Sequence, residues 1–224
     1  MNHATLQADP ALRLHDGSLA PLRPARPADD AAMAFFAAEA SEGMAPWFWS
    51  QNDQGLATLE EGARRARRED ADFSYRNAWM VEAPGDSPGE AVAMLLGFMI
   101  EPADIELDDL PPLVRPLVEL EQRAAGSWYI NIVATRPEWR GHGLGTGLLA
   151  YAHALAMLKG CEEVSLQNFE SNAAARRLYE RFGFVERARL PMPAPPQGSR
   201  VPHFGASILH VMRTREELAA PFLR

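Results

Sequence analysis

The spacing of apolar residues along the chain predicts alternating strands and helices. Short runs rich in β-branched and aromatic residues predict strands at 18–23, 79–83, 91–100, 128–134, 164–167, 184–190 and 206–213. Apolar residues at helical spacing predict helices at 27–39, 56–68, 113–125, 144–159 and 172–183. Because helices separate only some of these strands, we expect an α/β fold with a mixed, partly antiparallel sheet of about seven strands.

The turn between the strand at 128–134 and the helix at 144–159 is rich in glycine. Glycine accepts the positive φ that lets successive N–H groups point inward, and the helix adds the positive end of its dipole, so the turn is suited to bind an anion. A tight turn without any ligand would explain the same glycines. The residues that offer amides or charge are Arg140, Gly141, His142, Gly143, Leu144, Gly145 and Thr146.

Two familiar phosphate loops do not fit this turn. A P-loop needs Lys followed by Ser or Thr after its glycines, and neither pair follows here. A GxGxxG fingerprint would need its third glycine at Leu148 or at Thr146, depending on where the count begins. The sequence therefore argues against the common mononucleotide and dinucleotide folds.

Composition and charge narrow the class of protein. With 224 residues, of which 47% are hydrophobic and 23% charged, the chain has enough apolar material for the core of one domain, and its length also admits two small ones. Cys161 is the only cysteine, so an intramolecular disulfide is impossible and a reducing compartment is expected. A net charge of −8 argues against a nucleic-acid partner. The basic run 64–68 is best explained as a solvated helix face, with a ligand phosphate or an acidic partner as the alternative.

No segment of the sequence indicates secretion or a membrane. Residues 1–15 lack a basic start and an apolar core, and the longest apolar run, 91–100, is too short to cross a bilayer. We therefore expect a cytoplasmic protein without a membrane partner.

Two motifs in the order observed here resemble a known family. The first is Arg140-x-x-Gly143-x-Gly145, and the second is Asn172-x-x-Ala175-x-x-Leu178-Tyr179-x-x-x-Gly183-Phe184. Together they resemble the GNAT superfamily of acyl-CoA-dependent N-acetyltransferases, closely over 127–190 and elsewhere by general layout. The resemblance implies one GNAT-like domain over 1–224, with helices on both faces of the sheet and a splay between strands 4 and 5. Residues 101–126 would then be an inserted helical segment.

The resemblance also implies a cofactor and a set of site residues. Acetyl-CoA would bind with its pantetheine amides against Val133, Ala134 and Thr135, and with its diphosphate on 141–146, with Arg140 at the rim of that loop. Asn172 would cap its helix and also bond the pantetheine arm. Tyr179 would protonate the departing thiolate, although aromatic packing alone explains a tyrosine there. No metal is required.

The general base is where the chain departs from the family's pattern. Many members carry a glutamate at positions that correspond here to Gln167 or lie near Tyr129, and an amide cannot accept the proton. Tyr129 and Asn131, on one face of their strand, could order a water that carries the proton away. Glu170 or an acid within 101–109 is another candidate.

The resulting hypothesis is an N-acetyltransferase that moves an acetyl group directly from acetyl-CoA to a primary amine of a small molecule or a protein terminus. A catalytically silent acyl-CoA sensor and a protein-interaction domain are the alternatives, the latter because of the insert and the proline-rich connection 191–205. The acceptor, a homodimer and a role of 101–126 in covering the acceptor site are left open. The aromatic candidates for an acceptor wall are Trp47, Phe48, Trp49, His203 and Phe204, and His203 or His210 is a further candidate base.

Overall fold

A computed structural model describes residues 5–51, 55–85, 89–195 and 201–224. The chain forms two compact units that alternate along the sequence. The first unit consists of Met1–Gly97, Ile132–Tyr151 and Phe222–Arg224, and the second consists of Phe98–Asn131 and Ala152–Pro221. Parts of the segment 84–89, which joins the strands predicted at 79–83 and 91–100, and of the connection 191–205 lie outside the described residues.

The first unit contains an antiparallel set of strands. β1 (Ala11–Arg13) pairs with β2 (Leu19–Pro24), β2 with β3 (Ala78–Glu82), and β3 with β4 (Ala91–Met99). β4 is buried along most of its length, as expected of a continuous apolar run. Between β2 and β3 the chain forms three helices: α1 (Asp30–Ala40), α2 (Met44–Trp49) and α3 (Thr58–Ala66).

The second unit contains the remaining strand pairs. β5 (Trp128–Thr135), which continues into the first unit, pairs in parallel with β6 (Glu163–Phe169). β8 (Ala206–Arg213) pairs antiparallel with both β6 and β7 (Val185–Pro191). The helices are α4 (Arg115–Gln122), α6 (Ala173–Phe182) and α7 (Glu216–Ala219), while α5 (Leu144–Leu158) has residues in both units.

The main helices after β5 begin and end where the sequence predicts. In α5 the side chains of Leu144, Leu148, Tyr151 and Leu155 are buried, which confirms the predicted apolar stripe. At its end Gly160 has a φ of 70° and Cys161 N–H donates to the carbonyl of Ala156. This is a Schellman motif, in which glycine adopts the left-handed conformation at low cost.

The predicted fold class is confirmed, and the described part of the chain has eight strands instead of about seven. The additional strand is β1, which is only three residues long. The sequence pattern did not indicate α2, which contains the candidate acceptor residues Trp47, Phe48 and Trp49. Six residues give too short a window for helical periodicity to be visible. None of the helices in the described ranges is long and apolar enough to cross a bilayer.

The inserted segment 101–126 contains a helix that is packed against the second unit. α4 packs on β7 and β8, with Leu120 and Ala124 in a buried cluster. The loop before it is tied to the helix by a hydrogen bond from the Ala103 N–H to Gln122 Oε1, 3.0 Å long. An open cleft of about 320 Å³ between this loop and α4 is lined in part by Asp104.

Candidate active site

The glycine turn after β5 has the backbone geometry of an anion-binding loop. Gly141 has a φ of 81° and Gly143 a φ of 95°, and α5 begins at Leu144. Among the described residues, no backbone N–H from Gly141 to Thr146 donates to another part of the chain. The first N–H groups of a helix have no partner within it. Several donors at the positive end of α5 are therefore available to an anion.

A side chain from the N-terminal hairpin crowds this turn. The His15 backbone N–H donates to the carbonyl of His142 at 3.1 Å. A Cβ atom placed on Gly143 would lie 2.9 Å from Cδ2 of the His15 ring. Two features therefore disfavour any side chain at position 143: the positive φ of Gly143 and its contact with the His15 ring.

Arg140 does not lie unpaired at the rim of the turn. Its guanidinium donates to Glu39 Oε2 on α1 at 3.1 Å, and most of its side chain is exposed. The charge predicted at the rim of the turn is thus paired with Glu39. An exposed ion pair is weak, so the guanidinium is readily exchanged between Glu39 and another anion.

The strand residues Val133, Ala134 and Thr135 lie at the end of β5. The parallel ladder between β5 and β6 covers Trp128 to Ile130, and the three residues follow it along the chain. Ala134 is buried, whereas Val133 and Thr135 are half-buried.

In the second unit, a capping motif lies at each end of α6. Asn172 Oδ1 accepts a hydrogen bond from the Ala175 N–H at 3.0 Å, which confirms the predicted cap. Gly183 has a φ of 116°, and the Phe184 N–H donates to the carbonyl of Tyr179 to complete a Schellman motif. Together these signals fix the position of Tyr179 on the helix.

Tyr179 is a buried phenol. Its side chain is 7% exposed, and its ring centroid lies 6.1 Å from those of Phe184 and His210. Burial raises the pKa of Tyr179 to about 12, because the phenolate would be poorly solvated. At neutral pH the residue therefore keeps its proton.

A second buried tyrosine lies on β5. Tyr129 is 5% exposed, and burial raises its pKa, with further contributions from the negative charge of Glu121 on α4 and from Tyr179. Asn131 and Gln167 act in the opposite direction and lower the pKa of the phenol, by smaller amounts than burial raises it. Two phenols, two amides and one carboxylate thus lie in one region of the second unit.

The amide of Gln167 has a structural role. Its Nε2 donates to the carbonyl of Leu117 on α4 at 3.0 Å, and its Oε1 accepts from Ser207 Oγ at 2.9 Å. Both ends of the side chain are therefore used to connect β6 with α4 and β8. The sequence analysis considered Gln167 only as a missing base and did not single out Glu121. No local signal in the sequence points to this arrangement, because the hydrogen bond between Gln167 and Leu117 joins residues that are 50 apart.

Other candidate residues are engaged elsewhere. Glu170, considered as a base, forms an ion pair with Arg189. In the basic run, Arg64 and Arg65 both bind the buried carboxylate of Glu61. These are ion pairs between neighbouring turns of one helix, α3. Among the described residues, no group of three or more His, Cys, Asp or Glu side chains is arranged to hold a metal.

The candidate acceptor aromatics are placed differently from one another. Trp49 is buried against Gly62, while Trp47 and Phe48 are half-buried. In the second unit Phe204 is buried and stacks on Phe169 with 4.0 Å between ring centroids. His203, the remaining candidate, is exposed. Trp49 and Phe204 are therefore core residues.

The chain belongs to the acetyltransferase (GNAT) family. The model of that family matches residues 41–184, which is more than half of the chain. This confirms the family predicted from the two motifs.

Two curated proteins are similar to part of this chain. The chain is 39% identical over 62 residues to "N-alpha-acetyltransferase MAK3" of Arabidopsis thaliana, which covers 28% of this chain and 33% of that protein. It is 41% identical over 63 residues to "N-alpha-acetyltransferase 30" of Homo sapiens, covering 28% of this chain and 17% of that protein. The matched segments thus span a third or less of these relatives.

Solved structures share the fold over most of the chain. A crystal structure described as an acetyltransferase superposes with a TM-score of 0.55 at 16% identity, covering 87% of this chain and 99% of that one. Ard1 from Thermoplasma volcanium superposes with a TM-score of 0.50 at 15% identity, covering 88% of this chain and 99% of that one. At these identities the likeness establishes the fold.

Proposed function

We propose that the protein is an N-acetyltransferase that uses acetyl-CoA to acetylate the α-amino group of peptides or proteins. The observation that carries this proposal is the set of unengaged backbone amides at the start of α5, in a chain that belongs to the GNAT family. A protein N-terminus is favoured over a small-molecule amine because the curated relatives are named N-alpha-acetyltransferases.

The residues of the chain fit coenzyme A as follows. The amides of residues 141–146 bind the diphosphate, and Arg140 exchanges Glu39 for a phosphate oxygen. Val133, Ala134 and Thr135 offer strand amides and carbonyls to the pantetheine arm. The Asn172 side chain contributes one further hydrogen bond to the arm while its Oδ1 caps α6. Acetyl-CoA supplies the thioester from which the acetyl group is transferred.

The chemistry requires proton transfers at both ends of the reaction. The acceptor amine must lose a proton before its lone pair can attack the thioester carbonyl, and the departing thiolate must gain one. Tyr179 donates the second proton, since its raised pKa keeps the phenol protonated throughout the neutral range. No metal takes part in this scheme.

The compartment and the partners of the protein are proposed from its composition and charge. The single cysteine and the net charge of −8 favour a cytoplasmic protein whose partners are acetyl-CoA and an amine rather than nucleic acid or a membrane. A homodimer is compatible with the proposal and is not required by it.

The first experiment separates an enzyme from a silent acyl-CoA sensor. Acetyl-CoA binding is measured by calorimetry, and release of free CoA is followed with peptides that differ in their first residue and with a panel of small amines. Mass spectrometry then locates the acetyl group on the peptide. Peptides with a blocked N-terminus serve as controls. Binding without CoA release for any acceptor would contradict the proposed activity.

A second experiment tests the role of Tyr179. Tyr179→Phe retains the aromatic ring and is expected to lower kcat by about 10- to 100-fold with little change in the Kd for acetyl-CoA, because only the proton donor is lost. Tyr151→Phe, the same change at another buried tyrosine, is the matched control and should leave kcat nearly unchanged. Equal kcat values for the two variants would reject Tyr179 as the acid.

A further inference from the structure

We propose that the imidazole of His15 is a further coenzyme-binding group, which donates a hydrogen bond to a phosphate of acetyl-CoA at the glycine turn before α5. This inference rests on the proposed function and deepens it, because it names a side chain that recognises the cofactor. His15 lies in the turn between β1 and β2, far along the sequence from both family motifs.

Two glycines at the start of α5 let the N-terminal hairpin approach the helix closely. The Gly147 N–H donates to the carbonyl of Gly143 at 3.0 Å, so Gly143 is the residue that precedes the first turn of the helix. A Cβ atom on Gly143 would lie 2.9 Å from Cδ2 and 3.0 Å from Nε2 of His15, and one on Gly147 would lie 3.2 Å from both methyl groups of Leu12. The hairpin therefore packs along the first turn of α5, with His15 at the end that meets the glycine turn.

Hydrogen bonds fix the backbone of His15 at this position. The His15 N–H donates to the carbonyl of His142 at 3.1 Å, which joins the hairpin turn directly to the glycine turn. The hairpin turn is closed by the Leu14 N–H, which donates to the carbonyl of Ser18 at 2.9 Å, and by Asp16 Oδ1, which accepts from the Ser18 N–H at 2.9 Å and from its hydroxyl at 2.7 Å. Side chains of this kind stabilise turns by bonding their own backbone. The turn that carries His15 thus has a defined conformation before any ligand binds.

The imidazole of His15 is available to a ligand. Its residue is exposed, and within the described ranges of the chain its ring forms no hydrogen bond, ion pair or aromatic contact. Nε2 is one of the two ring atoms nearest to Gly143, so a polar atom lies at the turn. An imidazole has at least one N–H donor, and it gains a second donor and a positive charge when it is protonated. Either form can donate to a phosphate oxygen.

The other polar side chains at the turn already have partners. His142 Nδ1 lies 3.1 Å from the carbonyl oxygen of Arg140, which engages that ring within its own turn. The guanidinium of Arg140 binds Glu39, and the carboxylate of Asp16 binds Ser18. Of the two histidines that meet at this turn, His15 is therefore the one whose ring is not engaged by the described part of the chain.

The chemistry of the cofactor matches this donor. Coenzyme A carries a diphosphate and a separate 3′-phosphate, and each presents anionic oxygens to hydrogen-bond donors. The backbone amides at the start of α5 are neutral dipoles, so a histidine beside them adds a donor that can also carry a full charge. Hydrogen bonds between a charged donor and a phosphate are about twice as strong as neutral ones. His15 would therefore raise the affinity for the phosphorylated cofactor.

The test compares His15→Phe and His15→Gln with Arg13→Gln in the full chain. His15→Phe keeps a ring against Gly143 and removes the ring nitrogens, whereas His15→Gln keeps an N–H that can donate. Arg13→Gln removes a positive charge from an exposed side chain of the same hairpin, so it controls for a general electrostatic effect. Calorimetry measures the Kd of acetyl-CoA and of acetyl-dephospho-CoA, which lacks the 3′-phosphate. Thermal unfolding shows whether each variant is folded.

The expected result is a loss of affinity that depends on the ring nitrogens. His15→Phe should raise the Kd of acetyl-CoA by about 10-fold, as the loss of one hydrogen bond to a charged group would. His15→Gln should raise it by only about 3-fold, and Arg13→Gln by less than about 2-fold. If His15→Phe weakens acetyl-dephospho-CoA equally, His15 contacts the diphosphate. If that ligand is unaffected, His15 contacts the 3′-phosphate.

Two results would overturn the inference while the native chain still binds acetyl-CoA. One is an unchanged Kd in His15→Phe, and the other is a loss of the same size in Arg13→Gln or in His15→Gln. Failure of the proposed function is recognised separately, because calorimetry needs no acceptor. A native chain that bound acetyl-CoA but acetylated no amine would refute the activity and leave the measurement on His15 valid, whereas a native chain that did not bind acetyl-CoA would refute both.

Discussion

At the scale of single residues, the most constrained position is Gly143. It combines a φ of 95° with a neighbour, His15, that leaves no room for a Cβ atom. Gly141 has a similar φ of 81° but faces open space. Gly141 is therefore needed only for its positive φ, whereas Gly143 also allows the His15 ring to lie close to the backbone.

We expect Gly143→Ala to weaken acetyl-CoA binding by at least 10-fold, about 1.4 kcal/mol, because the methyl group strains the loop and displaces His15. Gly160→Ala is the matched control, since Gly160 also has a positive φ, 70°, and has no neighbouring atom within 4 Å. Calorimetric titration of both variants measures the effect. Equal losses of affinity would indicate general destabilisation instead of a binding loop.

At the scale of elements, α3 illustrates how a helix is fixed by one buried charge. Glu61 is 1% exposed and accepts hydrogen bonds from Arg64 and Arg65, which both lie about one helical turn further on. These partners, with the Arg64 hydrogen bond contributing most, lower the pKa of Glu61 to about 2. Arg64 and Arg65 of the basic run are thereby explained by helix structure, and Arg67 forms an ion pair with Asp30 on α1.

We expect Glu61→Gln to lower the free energy of unfolding by about 2 kcal/mol at pH 7, because the charge-assisted hydrogen bonds are lost. Since the pKa is lower in the folded state, this stabilisation is present above about pH 4.5 and disappears as the pH falls towards 2. Urea unfolding at several pH values measures the difference. Glu60→Gln, at an exposed position next in sequence, should cost little at any pH.

At the scale of the whole molecule, buried histidines lower the stability of the folded state at acidic pH. His153 is fully buried, and its Nδ1 accepts a hydrogen bond from the Arg215 N–H at 3.2 Å. Among the described residues its Nε2 has no hydrogen-bond partner. Burial lowers the pKa of His153 to about 4, with a smaller contribution from Arg215. The pKa of His210 is lowered by burial as well.

We expect stability to fall as the pH drops from about 6.5 towards 4. In this window an unfolded histidine binds a proton that folded His153 does not, and each such proton costs about 1.4 kcal/mol per pH unit. His153→Asn, which keeps an acceptor for Arg215, should flatten this dependence although it lowers stability overall. Exposed His203→Asn is the control. An unchanged pH slope in His153→Asn would contradict the assignment.

Much of the fold could be predicted because its signals are local. The apolar stripe of α5, the cap at Asn172 and the glycines that end α5 and α6 each act within a few residues, so sequence spacing alone reveals them. The loop from Gly141 to Thr146 could be predicted for the same reason, because its conformation depends on glycines close together in the chain. The short elements β1 and α2 were missed because three or six residues give periodicity too little length to be recognised.

The sequence by itself determined the order of the main elements, the family and the loop before α5, because these depend on neighbours in the chain. Only the tertiary structure decided that Arg140 binds Glu39, 101 residues away, and that Gln167 anchors α4 through Leu117, 50 residues away. It also decided that Leu120 and Ala124 pack in the same buried cluster as Tyr129. Such partners are chosen by packing between distant segments, and no local spacing of residues records them.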